Sequence, residues 1–159
     1  MRMKTRFLTQ SALIAALYVA LTYFSAMLGI ASGVIQIRVS EALTILPMFT
    51  FSAVPGLFLG CIIANLLTGA ALWDVIFGSF ATLLGALGTY YLGKNRYLAA
   101  LFPIVANTLI IPFVLKYVYQ VSEGYSFLFL TIFAGEFISC GVLGVMLSKA
   151  LDKTKIFDN

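Results

Sequence analysis

A carboxylate inside an apolar run is the most telling residue of this chain. Glu136 lies in LTIFAGEFISCGVLG, about 11 residues into an apolar segment, or roughly 16 Å along a helix. An ionised group near the middle of a bilayer costs at least about 2.5–3.5 kcal/mol, so it must face a cavity or a partner. Other binding groups stand in similar surroundings. Gln36, Arg38 and Glu41 occupy VIQIRVSEALTILPMF, Trp73, Asp74 and Phe77 occupy ALWDVIFGSF, and Asn107 and Lys116 occupy ANTLIIPFVLKY. Glu123 follows in the next connecting stretch. Together they supply the groups of a polar pocket: carboxylates, amides, a guanidinium and aromatic side chains. Catalytic chemistry is poorly represented. The chain has no histidine, which removes Ser–His nucleophiles, His-based metal sites and His proton relays. Cys61 and Cys140 are isolated within apolar runs, which argues against a disulfide framework or a CxxC metal site. No catalytic residue, metal or cofactor is expected. The GxxxxGKS/T phosphate loop is absent, so any ATP hydrolysis must come from partners.

These residues need elements to position them. Of 159 residues, 62% are hydrophobic and 10% charged, with a mean hydropathy of +1.04. A soluble domain carries about 25% charged residues. Apolar runs recur from end to end, so the solvent is a bilayer and the fold an all-α membrane bundle, one domain over residues 1–159. Turn residues and charges divide it into six segments, 7–29, 41–52, 55–72, 75–93, 97–119 and 125–149. The second is too short to cross about 30 Å of hydrocarbon unaided and contains Pro47. The first runs about 20 residues with no cleavage site, so it reads as a retained span rather than a signal peptide. With the N-terminus inside, Arg2, Lys4, Arg6, Lys94, Arg96, Lys149, Lys153 and Lys155 face the cytoplasm. That is eight of the ten basic residues, as the positive-inside rule requires. Arg38 and Lys116 fall outside. Six transmembrane helices with both termini cytoplasmic are therefore expected, with the polar set gathered in an outward-facing pocket roofed by the first outer loop.

Each residue also has a plainer reading. Glu41 could sit in the first turn of its helix, where the dipole favours an anion, with Arg38 as a surface partner. Trp73 could belong to an interfacial aromatic belt, and Lys116 could snorkel outward along its stem. Asn107 could bridge two helices. Ala12, Ala16 and Ala20 recur every fourth residue on nearly one face of the first helix. Small residues at that spacing let two backbones approach closely, either within the bundle or with a partner subunit.

Six spans, both ends inside, an Ala-xxx-Ala first helix and an outer polar pocket resemble the substrate-binding S components of energy-coupling factor (ECF) transporters. IQIRVSEALTILPMF, AVPGLFLGCIIANLLTGAALWDVIFGSFATLLGA and FAGEFISCGVLG are, more specifically, similar to the QueT family of queuosine-precursor transporters. The resemblance covers nearly the whole chain. It implies a multi-pass protein of the bacterial cytoplasmic membrane, not an enzyme, that captures a micronutrient outside. It also implies a membrane coupling subunit, joined through helix one, and two cytoplasmic ATPase subunits. The bilayer and a small molecule complete the expected partners, with no nucleic acid among them.

The ligand implied is a deazaguanine: the aminomethyl or cyano base, or queuine. Its ring N–H and exocyclic amine are adjacent donors that one carboxylate can accept together. Its carbonyl needs a donor such as Asn107, Gln36 or a backbone amide, and its flat face suits Trp73 or Phe77. An aminomethyl ammonium would want a second carboxylate, Asp74 or Glu41. Arg38 and Glu41 then stand at the pocket mouth, on a lid. A proton-coupled carrier using Glu136, an S component for another vitamin, a purely structural membrane subunit and an intramembrane enzyme pairing Asp74 with Glu136 are the alternatives. The last lacks any nucleophile–base arrangement.

Overall fold

The computed structural model describes residues 2–31 and 36–154, the side chains of Arg2 and Met3 excepted. The cytoplasmic placement of Lys155 and of the Arg2 side chain lies outside the described residues. Every element among those residues is helical. Helix α1 is Arg2–Met27, and a connection leads to a 3-10 helix, Val39–Met48. Helices α2 (Ala53–Leu67), α3 (Leu72–Leu92) and α4 (Arg96–Tyr117) follow. The last stretch changes pitch twice. It begins as α5 (Tyr125–Glu136), continues as a π segment (Phe137–Gly144) and ends as α6 (Val145–Thr154).

Four stretches among the described residues are long and apolar enough to cross a membrane: Lys4–Met27, Leu72–Leu92, Arg96–Tyr117 and Tyr125–Thr154. The 3-10 helix and α2 are shorter. At about 2.0 Å and 1.5 Å of rise per residue respectively, neither reaches the roughly 30 Å of a hydrocarbon core.

The segment read from sequence as 41–52 is where the structure departs most from a regular span. It is a 3-10 helix that starts at Val39 and stops at Met48. Pro47 removes a backbone donor near its end. Its eight residues from Ser40 to Pro47 are all buried, because it packs against α1, α2, α3, α4, α6 and the π segment. A short element enclosed on all sides must satisfy its own polar groups. Thr22 Oγ1 donates to Ser40 Oγ at 2.7 Å, Thr44 Oγ1 donates to the Glu41 carbonyl at 2.6 Å, and the Tyr18 hydroxyl donates to Glu41 Oε1.

Helix α1 has two contrasting faces. Ile14, Ala15 and Tyr18 are buried and press against glycines of α2. A Cβ on Gly60 would lie 2.9 Å from the Tyr18 Cβ and 3.1 Å from the Ala15 Cα, so only glycine lets these backbones approach so closely. Ala12, Ala16 and Ala20, by contrast, are exposed. The repeat does not pack within the described part of this chain.

The end of the bundle that carries Lys4, Arg96 and Lys153 is tied by polar contacts. The Asn95 side chain caps α4 by accepting from the Leu98 N–H at 2.9 Å, a contact worth about 1 kcal/mol. Arg96 pairs with Asp152 at 2.8 Å, holding α6 to the start of α4.

Candidate functional site

At the opposite end the last turn of α1, the α2–α3 turn and the α4–α5 connection surround a cavity of about 760 Å³. Gln36, Arg38, Asp74, Tyr119 and Glu123 are among the residues lining it. Below it lies a second cavity of about 20 Å³, lined in part by Glu41, Thr82, Asn107 and Glu136. Gln36 and Arg38 line both. They form the partition between an outer vestibule and an inner polar floor. The inner space has room for about one water as it stands.

The floor is assembled from three elements. Glu41 comes from the 3-10 helix, Asn107 from the middle of α4, and Glu136 from the last residue of α5. Glu41 is 2% exposed and Asn107 4% exposed, and the Asn107 side chain lies beside both carboxylates. Glu136 is partly buried and contacts Cys140 Sγ at 3.3 Å. Glu41 Oε2 is buried without a hydrogen-bond partner, whereas Oε1 accepts from Tyr18. The floor therefore sets two carboxylates, one with an unpaired oxygen, where a ligand edge that carries several N–H groups would meet them.

Arg38 Nη1 donates to Asn65 Oδ1 at 3.2 Å, which fixes the guanidinium over the floor from α2. Burial opposes its charge, and the carboxylates of Asp74 and Glu41 favour it. The strap that carries it is anchored at three further points. Ile37 N–H donates to the Ile30 carbonyl at 2.8 Å, and Val39 N–H donates to Ser25 Oγ at 3.0 Å. The Gln36 carbonyl presses onto Gly135, where a Cβ would lie only 2.1 Å from that oxygen. Glycine is what allows the strap to seat one residue before Glu136.

The remaining sequence candidates are placed differently. Asp74 lines only the vestibule, accepting from the Tyr119 hydroxyl at 2.9 Å. Trp73 and Phe77 stack on each other at 5.9 Å, are exposed, and line neither cavity. Both side chains are exposed, whereas their neighbours Asp74, Val75 and Gly78 on α3 are buried. Lys116 also lines neither cavity. Its ammonium donates to the carbonyls of Val121, Ser122 and Glu123 at 3.0–3.3 Å, closing the connection after α4. All three donors are engaged there, so the side chain neither snorkels freely nor reaches into the cavities.

Several residues were not singled out from the sequence. Tyr18 is fully buried on α1 with its hydroxyl at the floor, and a phenol inside an apolar helix needs such a partner. Asn65, in CIIANLLTG, could have been found by the reasoning that picked out Asn107. Cys140 and Tyr119 carried no comparable signal.

Comparison with known proteins follows the same lines. The family described as QueT transporter matches residues 8–153. The queuosine precursor transporter QueT of Lactococcus lactis subsp. cremoris (strain MG1363) is 40% identical over 81 residues, 50% of this chain and 47% of that relative. The aligned part thus spans about half the length of each. No solved structure matches. The family is one of transporters rather than enzymes, and several apolar helices long enough to cross a bilayer fit a multi-pass protein of the cell membrane. The chain belongs to the QueT transporter family.

Proposed function

We propose that this chain is the S component of an ECF-type importer and captures a queuosine precursor at the outer face. The ligand would be a deazaguanine such as the aminomethyl or cyano base, or queuine. With six crossings and both ends cytoplasmic, the vestibule opens outside. The 3-10 helix completes its crossing because neighbouring helices, not lipid, enclose its backbone, whereas α2 turns Leu59, Ile63 and Leu66 outward. The observation that carries the reading is the polar floor with two carboxylates, where Glu41, Asn107 and Glu136 converge under Arg38. A guanine-like edge supplies donors to the carboxylate: its ring N–H and exocyclic amine meet Glu136, and Asn107 contacts the same base. Arg38 and Gln36 move aside or close behind the ligand, since the inner space is too small for a base in this state. The exposed alanine face of α1 supports docking on a membrane coupling subunit driven by two ATPase subunits. The L. lactis relative, named for queuosine-precursor transport, lends the substrate class.

Titration calorimetry tests this directly. The unmutated protein should bind a deazaguanine. Glu136→Gln keeps the shape but sets a donor against the ligand's donors, and should weaken binding by about 2 kcal/mol, roughly thirtyfold. Equal affinities would move the anchor to Glu41 or Asp74. Absence of binding to the unmutated protein would overturn the substrate.

A further inference from the structure

We propose that Glu41, Glu136 and Cys140 form a binding site for a divalent cation of the zinc type. One potential ligand atom from each residue lies within 4.8 Å of the others. Glu136 and Cys140 stand four residues apart where α5 gives way to the π segment, with Oε2 and Sγ 3.3 Å apart. Tetrahedral zinc, with Zn–S near 2.3 Å and Zn–O near 2.0–2.2 Å, sets an S···O edge of about 3.5 Å. The two donors already have coordination spacing.

The third donor is the stronger observation. Glu41 is 2% exposed, and its Oε2 has no hydrogen-bond partner. A thiol donating to Glu136 would account for the Cys140 contact, but it leaves that oxygen orphaned. A cation satisfies it. The Tyr18 hydroxyl on Oε1 acts as the outer-shell group that orients the carboxylate and leaves Oε2 free. Two carboxylate oxygens with a thiolate suit a borderline-soft ion better than magnesium or calcium, which take oxygen ligands. The adjoining cavity of about 20 Å³ holds space for a water as fourth ligand. Binding converts the Cys140 thiol to a thiolate and releases its proton to solvent. Glu41 and Cys140 are 99 residues apart, so no motif in the sequence announces the set.

This inference does not depend on the substrate proposed above, although ion and substrate would compete for Glu136. The test uses the full chain in detergent, stripped with a chelator, without any deazaguanine. Equilibrium dialysis against Zn²⁺ with elemental analysis should find one equivalent per chain. Co²⁺ in its place should give a thiolate-to-cobalt charge-transfer band in the near ultraviolet. Cys140→Ser should abolish the band and weaken zinc binding by more than about tenfold, the least expected from loss of even an outer-shell partner. Glu41→Gln should weaken zinc binding while keeping the band, and Cys61→Ser should change neither. A chain that takes up no stoichiometric zinc, or a cobalt band that survives Cys140→Ser, would overturn the site. Deazaguanine binding would stand or fall separately, by the calorimetry described above.

Discussion

Tyr18 shows how one hydroxyl can organise a site built from separate elements. It reaches from α1 to Glu41 at the centre of the bundle, where both side chains are buried. Tyr18→Phe removes the donor and leaves both Glu41 oxygens unsatisfied, a penalty of about 1–3 kcal/mol. Thermal unfolding in detergent should show a lowered Tm, and an unchanged Tm would mean that another donor replaces the phenol. Charge in an apolar run has a known cost, which makes charged and amide groups stand out in a sequence of this kind. Asn107 and Glu136 were legible for that reason, and the structure brings them to one floor with Glu41. The sequence suggested Glu41 on a lid at the pocket mouth, whereas it is buried beneath Arg38. Neutral phenols and thiols carry no such cost, so Tyr18 and Cys140 passed as ordinary residues. Trp73 and Lys116 illustrate the opposite failing. Their types fit a pocket, but only helix phase and loop geometry decide where a side chain points.

At the scale of elements, periodic apolar runs made the long helices readable, and turn residues marked their ends. The 3-10 segment was not readable as such, because its pitch is imposed by enclosure rather than by local propensity. Its shortness and Pro47 were visible; its central position was not. The seating of the strap on α5 is the contact that joins connection and helix. Gly135→Ala would drive a Cβ into the Gln36 carbonyl, and overpacking of this kind costs about 1–3 kcal/mol. Ligand affinity should fall by about tenfold, equivalent to about 1.4 kcal/mol, while helical circular dichroism stays unchanged. Unaltered affinity by calorimetry would show that the strap has no part in retaining the ligand.

For the whole molecule, the proposed S-component role assigns binding to the buried face of α1 and coupling to its exposed alanine face. Ala16→Trp adds bulk on the exposed side, away from Tyr18 and the floor. Uptake in cells that carry the proposed ATPase partners should be lost, with ligand binding by the isolated protein retained. Loss of both would mean that the alanine side serves the bundle itself. Cysteine-accessibility labelling addresses the orientation, with position 36 expected outside and positions 4, 95 and 153 inside. Label reaching position 153 from outside would exclude the six-crossing arrangement. The buried 3-10 helix has a further bearing on how such a chain can vary. Lipid-facing helices accept exchange among apolar residues on one side, so their tolerance rises and falls with each turn. Ser40 to Pro47 have no permissive side. Their eight positions form an unbroken block of constraint, polar and apolar alike, so new substrate preferences would have to arise around this block rather than within it.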